Sequence, residues 1–176
     1  MPRPTIQQVS GMGDVVTTYQ WNMFFTSFPA ALYGGIIPAS EDLNLRMTST
    51  TVPIKGNTDQ EINVRGHKIS QAGPADYGDR TITLGFYETA DMIVSNFFLA
   101  WSETCVQTGT GIHGSNDKAK CNMQLQQLNR QDDPVWLYSL HGCRLLSYTK
   151  SDLSGEDGTS QPTLSIKWDW FDQQAL

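Results

Sequence analysis

The chain has 176 residues, with 12 Lys and Arg against 18 Asp and Glu, for a formal charge of −6. A hydrophobic share of 39% over this length fits one domain with a real core and leaves little room for two. Charged residues are only 17% of the chain, so the polar surface comes largely from Gln, Asn, Ser and Thr, and no basic stripe invites nucleic acid.

Residues 1–18 hold Pro2, Pro4, Gly11 and Gly13 without periodicity. They read as an extended N-terminal arm, polar and unlike a signal peptide, ahead of a single domain over 19–176. Trp21, Met23 and Phe25 alternate with polar neighbours in a first strand, which Phe28-Pro29 and Gly34-Gly35 end in a loop. Leu43, Leu45 and Met47 alternate in the same way and predict a second strand. Val52 to Asp59 reads as a long connection, and Glu61 to Arg65 as a third strand with Ile62 and Val64 inward. Gly73-Pro74 and Gly78-Asp79 mark turns.

The most strongly patterned stretch follows. Ile82, Leu84 and Phe86 alternate with Thr81, Thr83 and Gly85, the period of a half-buried strand. Then the period changes, and Ile93, Phe97, Ala100 and Trp101 fall on one side of a helix. Thr89 is the expected N-cap, and Asp91 sits near the positive end of the helix dipole. Ile93, Phe97 and Trp101 are the predicted anchors of the helix in the core.

Gln107 to Lys120 is a polar, Gly-rich loop, and Cys121, Met123 and Leu125 alternate with Asn122, Gln124 and Gln126 in the next strand. Asp132-Asp133-Pro134 turns the chain into a long strand, Val135 to Thr149, with a kink expected at Gly142. An acidic loop, Asp152 to Pro162, precedes a last strand through Leu164, Ile166, Trp168 and Trp170. About seven antiparallel strands and one principal flanking helix make a mainly β fold, a β-sandwich or a partly closed barrel.

Catalytic and cofactor motifs are weak. Gly109, Gly111 and Gly114 match G-x-G-x-x-G, but after a helix and before a strand, the wrong context for a dinucleotide. His67, His113 and His141 lack the spacing of metal ligands, and Cys105, Cys121 and Cys143 form an odd set without CxxC spacing. That cysteine usage fits synthesis in a reducing cytoplasm. Asp152, Glu156 and Asp157 depart from a calcium-loop pattern. Trp136, Tyr138, Trp168 and Trp170 leave a carbohydrate-binding β-sandwich module open as a second reading. No apolar run approaches the roughly 20 residues of a membrane helix. The expectation is a protein without cofactor, metal, membrane span or catalytic residues.

In order and spacing, WNMFF, LRMTSTTVP, EINVRGHKI, RTITLGFYETAD entering FFLAW, and the closing WDWF resemble the tail tube protein of contractile-tailed bacteriophages. The resemblance runs from Trp21 to Phe171, and tube proteins of type VI systems and phage-like injection particles share it. It implies a β-sandwich-like protomer that closes into hexameric rings, stacked into a tube inside a contractile sheath, with DNA passing the lumen. It further implies sheath, tape-measure and baseplate or terminator proteins as partners, a place in the virion tail, and assembly in the host cytoplasm. Val52, Pro53, Ile54, Lys55, Gly56, Asn57, Thr58 and Asp59 are the expected assembly element, because a long polar connection without a partner in its own domain is often functional. The lumen is expected to be acidic or neutral, lined by such amides as Asn122, Gln124 and Gln126, since Lys118 with Lys120 is the only close pair of cations in the sequence.

Overall fold

A computed structural model describes residues 18–29, 32, 37–150 and 158–176. The N-terminal arm, apart from Thr18, lies outside the described residues, as do parts of the loop before Pro38 and the acidic residues Asp152, Glu156 and Asp157. In chain order the elements are β1 (Trp21–Ser27), α1 (Ser40–Arg46), β2 (Met47–Thr50), β3 (Gly56–Val64), β4 (His67–Asp76) and β5 (Thr81–Phe86). They continue with α2 (Ile93–Cys105), α3 (Asn116–Ala119), β6 (Cys121–Leu128), β7 (Pro134–Thr149), β8 (Thr163–Lys167) and β9 (Trp170–Ala175). The fold is mainly β, and its strand pairings are antiparallel.

The long strand β7 belongs to two sheets. Its first part pairs with β6 and β9, giving the order β1-β6-β7-β9, and its second part pairs with β8, giving β7-β8-β5-β2. The switch falls at Gly142, whose φ of +64° strongly favours glycine. A Cβ there would also lie 2.2 Å from Asp169 Oδ2. Met23 and Phe25 of β1, Met123 and Leu125 of β6, and Ile82, Leu84 and Ile166 from the second sheet fill one core between the sheets.

Helix α2 supplies the rest of that core. Phe97 and Trp101 are fully buried, Phe25 stands edge-on to both rings, and Phe86 packs against Phe98 at 5.2 Å. Ile93 is only partly buried, and Val94 and Phe98 take the inward positions at the start of the helix. The cap also differs from expectation. Glu88 accepts hydrogen bonds from the Val94 N–H at 3.2 Å and the Ser95 N–H at 2.7 Å. Its carboxylate therefore satisfies orphan donors of the first turn and adds negative charge where the dipole favours it. The Thr89 hydroxyl instead bonds to Asp91 and Arg46.

Four expectations give way to the structure. The alternation of Leu43, Leu45 and Met47 runs through α1 and into β2, and within α1 only Leu43 is buried while Leu45 is 84% exposed. Helix geometry is favoured here because α1 lies along edge strand β1: Asn44 Oδ1 accepts the Met23 N–H and Ser40 Oγ the Phe25 N–H, each at 2.8 Å. Gly73-Pro74 is no turn but part of β4, opposite an irregularity at Thr58, where a Cβ on Gly73 would meet the Thr58 hydroxyl at 2.5 Å. The last strand breaks after Lys167, so that β8 completes one sheet and β9 returns to the other. Gly56 to Asp59 are not an unpaired connection, because they form the start of β3 and pair with β4.

Candidate assembly surface

The hairpin β3–β4 is a separate two-stranded sheet. Its two-residue loop has positive φ at both Arg65 (50°) and Gly66 (85°), as a type I′ turn, which suits strand twist, requires. Register places Ile62 opposite Ile69 and Val64 opposite His67, so these four share one face. The other face carries Asp59, Glu61, Lys68 and Ser70, with a Lys68–Glu61 ion pair at 3.0 Å and a Ser70–Asp59 hydrogen bond. The hairpin is thus amphipathic. Yet Val64 is 48% and Ile69 52% exposed, and none of the hairpin's side chains joins the core. This corrects the expectation that Ile62 and Val64 point inward. Two strands alone are marginal in water, and an apolar face left uncovered adds to that cost.

Of the residues expected to form the assembly element, Gly56, Asn57, Thr58 and Asp59 therefore sit in the hairpin. Val52, Pro53, Ile54 and Lys55 link it to β2, with Val52 and Ile54 exposed and Pro53 buried. Among the described residues, strands β1, β2 and β9 each pair with one strand; α1 takes the outward N–H groups of β1, and the outer edges of β2 and β9 have no strand beside them. Edges of this kind can accept a strand from another chain.

Among the described residues no group of three or more His, Cys, Asp or Glu is arranged to hold a metal ion. Cys121 and Cys143 are buried opposite one another on β6 and β7, and burial pushes the Cys121 thiol well above its ordinary range, which keeps it protonated and inert. Trp168 is buried against Tyr77 and Phe171, whereas Trp170 is exposed and stacks on His141 at 3.9 Å. The tryptophans thus do not form one flat platform. Gly109 and Gly111 lie in the loop closed by the Val106–His113 bridge, Gly114 follows it, and a Cβ on Gly114 would collide with the Thr104 carbonyl oxygen. No helix among the described residues is long and apolar enough to cross a membrane.

A cluster that sequence spacing does not show lies at one end of the second sheet. Arg80, Lys120, Arg144 and Lys167 line one cleft of about 190 Å³ with Asn116, Trp168 and Asp169. These cations come from four segments more than 20 positions apart, and only strand register brings them together. Spacing along the sequence brings together Lys118 and Lys120, whereas the fold gathers these four. By contrast, Gln124 and Gln126 are half-buried and alternate with the buried Met123 and Leu125 on β6.

No protein-family model matches the chain, and no curated protein does. Solved structures do match. A chain of the sheath/tube terminator of an extracellular contractile injection system, in the extended state, has TM-score 0.63 at 11% identity, covering 94% of this chain and 100% of that one. A chain of the anti-feeding prophage baseplate, 6-fold symmetrised, has TM-score 0.60 at 12% identity over 93% and 97%. A chain of the sheath–tube complex of an extracellular contractile injection system, in the extended state, has TM-score 0.57 at 13% identity over 99% and 100%. Identities this low speak for the fold alone, which the chain shares across nearly its whole length with these components of injection systems.

Proposed function

We propose that the chain is a structural tube subunit of a contractile phage tail or a phage-like injection particle. It assembles into hexameric rings, which stack into a tube whose lumen conducts DNA. The observation that carries this reading is the β3–β4 hairpin, with its apolar face uncovered in the protomer, on a chain that aligns end to end with components of injection systems. A second copy covering Ile62, Val64 and Ile69 would remove that face from water, and strand pairing at β2 or β9 would satisfy open edges. The 6-fold symmetry of the baseplate that shares the fold supports six copies per ring. Sheath, tape-measure and baseplate or terminator proteins are the proposed neighbours in the particle tail, with assembly in the host cytoplasm.

In this reading the lumen is an inert conduit. Net negative charge repels phosphate, and amides such as Gln124 and Gln126 hold no counterion to release, so DNA slides. Light scattering over a range of concentrations tests the reading. A mass near six times the 19.6 kDa protomer, growing into longer species, is expected. A 19.6 kDa particle at every concentration would overturn it.

A further inference from the structure

We propose that the cleft formed by Arg80, Lys120, Arg144 and Lys167 is a docking site for a carboxylate side chain of a second copy of this chain. The inference rests on the tube-subunit reading and names a contact within it.

The cleft is built at a cost that, among the described residues, only the Asp169 carboxylate offsets. Arg144 on β7 stands directly opposite Lys167 on β8, and like charges paired across strands destabilise a sheet. Arg80 joins them from the start of β5, next to Thr81, which pairs with Lys167 on its other side. Its backbone is left-handed, with φ at +54°, an uncommon conformation for a side chain of this size. Lys120 enters from the end of α3 and is the one cation with an ion-pair partner, Asp169 at 2.6 Å. Among the described residues no carboxylate pairs with Arg80, Arg144 or Lys167. Arg80 meets the Tyr77 ring and reaches the Asp169 carbonyl oxygen, which leaves its charge uncompensated.

Four cations against one carboxylate give the cleft +3, so the rest of a chain of net −6 carries −9. That imbalance selects the occupant. Another copy is acidic on balance outside its own cleft, and Arg guanidinium forks fit a carboxylate in bidentate fashion. Duplex DNA requires a track of cations along many phosphates, whereas this cleft is a single cluster on a surface that repels a polyanion. The cleft also lies at the β5 start, while the exposed Asp91 follows the β5 end, about 20 Å away at strand rise, with Arg46 beside it. A basic cluster confined to one end of an otherwise acidic protomer is suited to head-to-tail contact, the heterologous geometry that builds rings and stacks.

Arg144→Glu separates this from a folding effect. It converts the Arg144–Lys167 repulsion into a cross-strand ion pair, so the isolated protomer should be as stable as wild type or more stable in chemical denaturation. Its self-association should fall at least tenfold in sedimentation at low salt, and added salt should weaken wild-type association while hardly changing the variant. Lys167→Glu should behave alike. Wild-type assembly with an Arg144→Glu variant that assembles equally well would overturn the inference and leave the tube reading standing. A wild-type protein that stays monomeric at every concentration would overturn both. Duplex DNA bound at low salt by wild type and not by Arg144→Glu, with assembly unaffected, would overturn it in favour of a nucleic-acid site.

Discussion

Trp101 is the residue on which sequence and structure agree most closely. Its ring is fully buried against Phe25 and Phe97, and its Nε1–H donates to the Ala119 carbonyl at 2.8 Å, tying α2 to α3. Trp101→Ala should cost about 3–5 kcal/mol in chemical denaturation, because it opens a cavity and leaves a buried carbonyl unpaired. An unchanged midpoint would mean that the helix does not anchor the core. The neighbouring cap was less legible, since Thr89 has the usual capping chemistry while Glu88 acts from farther back along the chain. Glu88→Ala should cost about 1 kcal/mol and Thr89→Ala clearly less, as measured by thermal unfolding. The reverse order would restore Thr89 as the cap. The cationic cleft could not be read at all from residue spacing, because Arg144 and Lys167 meet only through strand register.

At the scale of elements, periodicity was informative wherever an element has a core face. Strands β1, β5, β6 and β8 and helix α2 each bury one set of side chains, and each shows it in the sequence. Helix α1 has one buried side chain, too few to distinguish a period of two from one of 3.6. The hairpin β3–β4 has no core face in the protomer, so its strand pattern is faint and Gly73-Pro74 reads as punctuation. That same absence is the reason for assigning it to assembly. Ile69→Lys, at a position already 52% exposed, should shift protomer stability by no more than about 0.5 kcal/mol. It should nonetheless abolish ring formation in size-exclusion chromatography. A variant that forms rings at wild-type concentration would remove the hairpin from the interface.

For the whole molecule, the fold class and its flanking helix were accessible because one core is shared by two sheets and α2. The sharing of β7 between the sheets was visible only as a glycine kink at Gly142. Assembly lies a further step away, since the uncovered hairpin face, the open edges and the cleft are all features that a second copy would complete. Electron microscopy of the purified chain over a range of concentrations, with and without tail nucleating components, tests that claim most directly. Hexameric rings that stack into tubes are the result the account predicts, and a uniform monomer under every one of these conditions is the result that would contradict it.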